Sequence, residues 1–195
     1  INSKKIKNLN KYQIKNLANN FYNDAYTMDQ QGCSSPQALF WLGKKNDHIN
    51  HFFDELNKIV NLKYSNDLSV TNKKIYSISN MLLKTNLQIK VNKKNFKLIT
   101  LQANKLNKEI EKIQCHFGTF LQSNISSLNE LKKIITNRYQ TMTYYGVEKK
   151  DLKEFIQSNQ ILGIDRIVPI GRAFDMGPVW DGYDIIYSLS RVIAE

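Results

Sequence analysis

The chain has 195 residues and a mass of 22.7 kDa, and 42% of its residues are hydrophobic while 23% are charged. This composition is too apolar for a disordered chain, and the longest apolar runs are too short to cross a bilayer. Two cysteines, Cys33 and Cys115, cannot build the disulfide framework of a small secreted module, so we expect a reducing, cytoplasmic compartment.

The formal charge of +11 is concentrated upstream of residue 161. Residues 1–160 carry 25 Lys and Arg against 12 Asp and Glu, and Arg138 is the only arginine among them. Proteins that read base sequence favour arginine, whose planar fork holds base edges bidentately. The lysine excess therefore predicts a solvated basic surface and no specific nucleic-acid partner.

Apolar periodicity predicts a helical front end. The first helix is expected over 3–26, and Ser35 and Pro36 resemble the N-cap and first residue of a second helix that ends at Gly43. Two further helices are expected over 47–62 and 69–89. This part of the chain is interpreted as a scaffold.

Beyond residue 95 the pattern alternates between strand and helix. Strands are expected at 96–101, 115–121, 139–145 and 166–170, and helices at 129–136 and 150–157. Such alternation favours an α/β fold, a mostly parallel sheet with flanking helices. No linker or repeat divides the chain, so residues 1–195 are expected to form one domain. Because the chain opens at Ile1 without Met, we expect it to be a piece of a longer polypeptide.

Several familiar site motifs are missing from the sequence. It contains no Gly-x-Gly-x-x-Gly and no Walker loop, so the main cradle of any nucleotide is expected to lie elsewhere. His48 and His51 share a predicted helical face, but no cluster of Cys, Asp or Glu completes a metal site. Cys115 and His116 alternate within a predicted strand and would point to opposite faces.

Cys33 has a more suggestive setting. It follows Gly32 and directly precedes the predicted helix start at Ser35 and Pro36. The unpaired amides and positive end of that helix would stabilise a thiolate, and the same amides would face an oxyanion during attack on an acyl carbonyl. The alternative is a cysteine without chemistry, either buried in a loop or next to a helix cap.

The segment 163–184 is rich in Gly, Pro and Arg and is expected to be a loop ordered by turns. Loops that follow strands in α/β sheets often hold functional sites. The alternative is structural, with Arg166 and Arg172 pairing with Asp165, Asp175 or Asp181 to fix the loop.

Three blocks of this sequence resemble the LuxC-type acyl-CoA reductases, the reductase component of bacterial fatty-acid reductase complexes and distant members of the aldehyde dehydrogenase superfamily. The most specific block is 29–37, which begins with Asp-Gln-Gln-Gly-Cys at the acylated cysteine of the family. The others are 140–146 and the tail, with 163–172 and 180–184. The likeness runs from about residue 25 to the end.

The resemblance implies an aldehyde dehydrogenase-like catalytic domain and a two-stage reaction. Cys33 would take an acyl group from acyl-CoA or an acyl-protein, and NADPH would reduce the thioester to an aldehyde. The backbone of Ser34 would be an oxyanion donor, Gln31 a site neighbour, and Trp180 and Asp181 one wall of the acyl or cofactor site. Most of the NADPH site would lie upstream of this chain, which alone would be inactive.

The resemblance also implies partners and context. An acyl-protein synthetase or acyltransferase would be the expected partner, the full-length protein would be oligomeric, and the aldehyde could serve bioluminescence. The competing interpretation of the sequence is a noncatalytic basic α/β domain that binds an acyl-transferring partner or an acidic surface.

Overall fold

A computed structural model describes residues 1–65, 67–191 and 193, with the side chains of Glu111 and Lys112 excepted. The helices are α1 (Ser3–Lys7), α2 (Lys11–Tyr26), α3 (Asp47–Lys63), α4 (Leu68–Lys84), α5 (Lys149–Ser158) and α6 (Ile185–Leu189). The strands are β1 (Ala38–Leu42), β2 (Ile89–Asn95), β3 (Leu98–Ala103), β4 (Thr119–Ile125), β5 (Thr141–Tyr144), β6 (Arg166–Pro169), β7 (Val179–Trp180) and β8 (Tyr183–Asp184). Two 3-10 helices cover Lys108–Lys112 and Leu128–Lys133.

The main sheet has four strands in the order β1-β4-β3-β2. β1 and β3 both pair in parallel with β4, whereas β2 pairs with β3 as an antiparallel edge strand. β5 and β6 form a separate parallel pair, and β7 and β8 form a short hairpin. The prediction of a mixed α/β chain with a mostly parallel main sheet and flanking helices is confirmed.

Helices and turns cover both faces of the main sheet because its strands carry apolar side chains on both sides. On one face α2 and α3 pack on Trp41, Leu98 and Phe120. On the other face Met81 of α4 and Phe155 of α5 join a second cluster that contains Leu101 and Leu121. The sheet is thus the middle layer of the fold.

The predicted helix that starts at Ser35 and Pro36 is wrong. Residues 38–42 form β1 instead, and Leu39 and Trp41 alternate with neighbours that pack on the opposite face. A five-residue apolar run is compatible with either a helix or a strand, and pairing with β4 decides between them. No helix N-terminus therefore follows Cys33, and the expected stabilisation of its thiolate by a helix dipole is not present.

Other predicted elements are correct in type but not in extent. The helix expected over 3–26 is divided into α1 and α2, since Asn10 begins α2 with a capping box to Gln13. α4 ends at Lys84, and the strand β2 that follows it was not predicted. The strand expected at 115–121 begins at Thr119, because Phe117 and Gly118 have φ of 54° and 75° and cannot continue a strand upstream.

The helix expected over 129–136 is the shorter 3-10 helix at Leu128–Lys133, whereas the helices expected over 47–62 and 150–157 match α3 and α5 within a residue. Within the described part of the chain, no helix combines the length and apolarity that a bilayer crossing requires.

Candidate active site

Cys33 lies in the connection between α2 and β1, which we call the Cys33 turn (residues 27–37). Asp29 and Gln30 adopt left-handed backbone conformations, with φ of 51° and 60°, and reverse the chain after α2. Cys33 itself is exposed, so the alternative of a buried loop cysteine is wrong. The turn exposes the thiol of Cys33 to solvent beyond the end of α2.

Two successive amides of this turn are free. Ser35 donates its amide to the carbonyl of Gly32 at 2.9 Å, but the amides of Cys33 and Ser34 have no hydrogen-bond partner among the described residues. Adjacent free N–H groups next to a nucleophile are the donors that stabilise a negatively charged oxygen during acyl transfer. The turn therefore leaves two backbone donors unpaired next to the thiol, although the helix start expected there is absent.

Gln30 fixes the base of the Cys33 turn. Its side chain is fully buried, and its Nε2 donates to the carbonyls of Pro36 at 2.9 Å and Thr119 at 2.7 Å. Its Oε1 accepts the amides of Gly118 at 3.0 Å and Thr119 at 3.2 Å. Every donor and acceptor of this amide is used, which joins the turn to the start of β4.

A cavity of about 490 Å³ opens beside the turn. Cys33, Ser34 and Gln140 line it together with a larger apolar set from the main sheet, the 3-10 helices and β5. The apolar members include Leu39, Phe40, Ile110, Ile113, Leu121, Ile125, Leu128, Leu131, Ile135 and Met142. Its size and its combination of apolar side chains with polar ones, which also include His116 and Arg138, are typical of small-molecule sites.

A family model described as acyl-CoA reductase (LuxC) matches residues 6–194. The chain belongs to the LuxC acyl-CoA reductase family. This membership assigns it to acyl reduction, an oxidoreductase chemistry. No curated protein matches the chain.

In this LuxC-family chain the tail segment 163–184 lines the cavity through Ile164 and Ile170, and it also contacts Gln140. Ser34 Oγ lies 3.4 Å from Gln140 Oε1, to which it donates, and 3.2 Å from Thr141 Oγ1. The Nε2 of Gln140 donates to Asp181 Oδ1 at 2.5 Å. The structure thus brings together residues from the three blocks that carried the family resemblance.

The remaining predicted site residues are placed as follows. Gln31 is exposed, and Trp180 and Asp181 do not line the cavity within the described residues. The guanidinium of Arg166 instead lies over the ring of Trp180, with its Cζ 4.4 Å from the ring centroid. The roles given to Gln31, Trp180 and Asp181 stay predictions.

Gln30 and Gln140 were missed as site residues, although both lie in the quoted blocks. A buried glutamine cannot be told from an exposed one by residue type, and Gln31 is adjacent. Their partners are also distant in sequence, since Ser34 and Gln140 are separated by 106 positions.

Other candidates have structural settings. Cys115 is buried, and burial raises the pKa of its thiol to about 12, so it is a core residue and not a nucleophile. His48 and His51 contact each other edge to face, with ring centroids 5.6 Å apart. The described residues contain no group of three or more His, Cys, Asp and Glu that would hold a metal ion.

The tail arginines divide between two roles. Arg172 forms an exposed ion pair with Asp175 at 3.0 Å, as one interpretation of the loop expected. Arg166 instead donates to backbone carbonyls, those of Ala173, Arg172 and Asp175. The segment 163–184 is partly regular, since it contains β6 and the β7–β8 hairpin.

Proposed function

We propose that the chain carries the acyl-transfer site of an NADPH-dependent acyl reductase, in which Cys33 holds the acyl group as a thioester before its release as an aldehyde. The observation that carries this proposal is the exposed thiol of Cys33, next to two free amides, beside an apolar cavity of about 490 Å³. We propose further that residues 1–195 form one catalytic domain of the aldehyde dehydrogenase type.

The first stage follows from the groups present. The thiolate of Cys33 attacks the carbonyl carbon of an acyl thioester and forms a new carbon–sulfur bond. Negative charge develops on the carbonyl oxygen, where the amides of Cys33 and Ser34 stabilise it. When this intermediate collapses, the bond to the donor sulfur breaks and the donor leaves as a thiolate that takes up a proton. The apolar cavity accepts the acyl chain, because hydrocarbon gains free energy on leaving water.

Acyl-CoA or an acyl-protein would be the donor. An acyl-protein synthetase or acyltransferase would be the partner that delivers such a group.

The described residues provide no glycine-rich phosphate site for NADPH, which the family resemblance implies as the hydride donor. In such a site, free amides of a glycine-rich loop that leads from a strand into a helix hold the dinucleotide phosphates. The loop from β1 into α3 has one glycine, and Asn46 caps that helix with its own side chain. The loop from β5 into α5 has Gly146, which lies against Lys5 of α1. We therefore derive no step through NADPH.

The test is acyl capture by Cys33 in the intact protein. After incubation with hexadecanoyl-CoA, intact-mass measurement should show one acyl adduct that hydroxylamine removes, as a thioester requires. Cys33→Ala should abolish the adduct, whereas the matched control Cys115→Ser, at the other cysteine, should retain it. An adduct that survives in Cys33→Ala would refute the proposal.

A further inference from the structure

Residues 170–175 follow β6 and lie against α2, and we call them the tail loop. Asp24 of α2 binds this loop with both carboxylate oxygens, accepting the amides of Gly171 at 2.6 Å and Ala173 at 2.9 Å. Asp24 is 1% exposed and Ala173 is fully buried. A buried carboxylate therefore fixes two amides across a sequence separation of almost 150 residues.

The carbonyls of the same loop are fixed from the other side. Arg166 donates from Nη1 to the carbonyl of Ala173 at 2.5 Å and from Nη2 to that of Arg172 at 3.2 Å. It also donates to the carbonyl of Asp175. With its amides on Asp24 and its carbonyls on Arg166, the tail loop is held in one position by charge-assisted hydrogen bonds.

The tail loop places Phe174 directly on the Cys33 turn. A Cβ atom added to Gly32 would lie 2.7 Å from Cε1 and 2.9 Å from Cζ of Phe174, closer than atoms can approach without displacement. The ring thus packs on the backbone of the residue before Cys33, and a glycine is what allows this contact. Displacement of the tail loop would therefore remove the Phe174 ring from its contact with the turn that carries the thiol.

We propose that Asp24 is a positioning residue for Cys33, acting through the tail loop and the ring of Phe174. Its carboxylate fixes the position of the tail loop, and the tail loop fixes the position of the Phe174 ring. The ring in turn limits the positions that Gly32 and Cys33 can adopt. The catalytic consequence rests on the proposed function of Cys33. The structural consequence, an ordered Cys33 turn, does not.

Acylation should be more sensitive to this positioning than simple alkylation. Attack on a thioester needs the thiol and the amides aligned with one carbonyl, and misplacement by about 1 Å costs on the order of 100-fold. Alkylation by iodoacetamide needs no such alignment. In the intact protein, Asp24→Ala and Phe174→Ala should each slow single-turnover acylation by hexadecanoyl-CoA by about tenfold or more, with little change in alkylation of Cys33.

Three variants complete this comparison. Phe174→Leu keeps an apolar side chain on Gly32 and should retain most of the acylation rate. The double variant Asp24→Ala/Phe174→Ala should be no slower than the slower single variant, because both changes break one chain of contacts. Asp175→Ala is the matched control, since it removes an exposed carboxylate of the same loop and should acylate at the wild-type rate. A folded Asp24→Ala protein with wild-type acylation would overturn the inference.

Hydrogen exchange tests the positioning role of Asp24 without any reaction at Cys33. The amide of Ser35, which closes the turn onto Gly32, should exchange faster in Asp24→Ala and Phe174→Ala than in wild type and Asp175→Ala. Unchanged exchange would overturn the inference even if acylation fell. If wild-type Cys33 takes up no acyl group, the proposed function fails, and exchange still tests the role of Asp24. If Asp24→Ala does not fold, Phe174→Ala against Phe174→Leu decides.

Discussion

Gln30 and Gln31 are neighbours of the same residue type with opposite environments. The Gln30 side chain is fully buried and makes four hydrogen bonds to the backbone, whereas Gln31 is exposed. The left-handed conformation of Gln30 turns its side chain inward at the point where α2 has ended. The sequence motif marks residues 29–33 as a candidate site, but only the three-dimensional structure shows that Gln30, and not Gln31, holds the Cys33 turn in place.

Gln30→Met tests the contribution of these hydrogen bonds to stability. Methionine has a similar length and shape but leaves the amide of Gly118 and the carbonyl of Pro36 without their partner, whereas the amide of Thr119 keeps its bond to the carbonyl of His116. Since each buried unsatisfied group costs about 1–3 kcal/mol, we expect the free energy of unfolding to fall by at least about 2 kcal/mol. Urea unfolding followed by circular dichroism measures it.

Gln31→Met is the matched control for that experiment. Because this side chain is exposed, its replacement should change the free energy of unfolding by no more than about 0.5 kcal/mol. Equal losses in the two variants would show that the side chain of Gln30 does not fix the turn.

The elements show which part of the fold the sequence determines. α3 was predicted almost to the residue, because Asn46 caps it and its 17 residues repeat one apolar face over more than four turns. β1 was predicted as a helix, since five apolar residues do not establish a period and its partner β4 lies about 80 residues away. Local periodicity therefore predicts long helices, whereas short buried strands depend on pairing that the sequence does not display.

The contacts of the tail loop illustrate the same limit at the candidate site. Cys33 and Ser34 were identified from one continuous block, but Asp24 meets Gly171 across 147 positions of sequence. No pattern within either segment predicts that contact. Contacts of this kind depend on the three-dimensional packing of α2 against the loop after β6.

Lys74 connects α4 to the two loops that precede β3 and β4. Its ammonium is buried, donates to the carbonyl of Phe96 at 2.8 Å and to that of Phe117 at 2.7 Å, and has no carboxylate partner among the described residues. Burial lowers the pKa of Lys74 from 10.5 to about 7, against a smaller opposite effect of Cys115. The neutral amine still has two hydrogens for these two carbonyls.

Lys74 should therefore make stability depend on pH. Between about pH 7 and 10.5 the unfolded chain retains a proton that the native protein has released, so the unfolding free energy rises with pH. The slope contributed by this group approaches about 1.4 kcal/mol per pH unit at its maximum. We expect the difference in unfolding free energy between wild type and Lys74→Met to increase from about pH 6 to about pH 8, measured by urea unfolding.

That interval lies below the pH at which cysteines of the unfolded chain ionise. Lys73→Met is the control, because it removes an exposed ammonium from the adjacent position and should keep the wild-type slope. Parallel pH profiles for wild type and Lys74→Met would contradict the assignment of this slope to Lys74.

In the whole molecule, the main sheet, the parallel β5–β6 pair and the tail meet at the cavity. The main sheet contributes Leu39 and Leu121, the β5–β6 pair contributes Met142, and the tail contacts Gln140 through Asp181. The family resemblance placed Trp180 and Asp181 at the site of Cys33 but gave no role to the second block, whose Gln140 contacts both Ser34 and Asp181. The volume and lining of the cavity could not be predicted from the sequence, because they depend on the positions of the 3-10 helices at 108–112 and 128–133, which form part of its wall.

The cavity makes a prediction about acyl chain length. Ile135 lines the cavity and is only partly buried, so Ile135→Trp adds bulk without replacing a fully buried core residue. If the acyl chain lies in the cavity, this variant should slow acylation of Cys33 by hexadecanoyl-CoA by about tenfold, which corresponds to the loss of about 1.4 kcal/mol of transition-state binding. Acetyl-CoA has no long chain to accommodate and should react with Ile135→Trp at the wild-type rate.

Leu162→Trp is the control for this prediction. Its position is 86% exposed and outside the cavity lining, so it should leave both acylation rates unchanged. Equal slowing of the long and short donors by Ile135→Trp would place the acyl chain elsewhere, because a filled cavity cannot discriminate against a chain that never enters it.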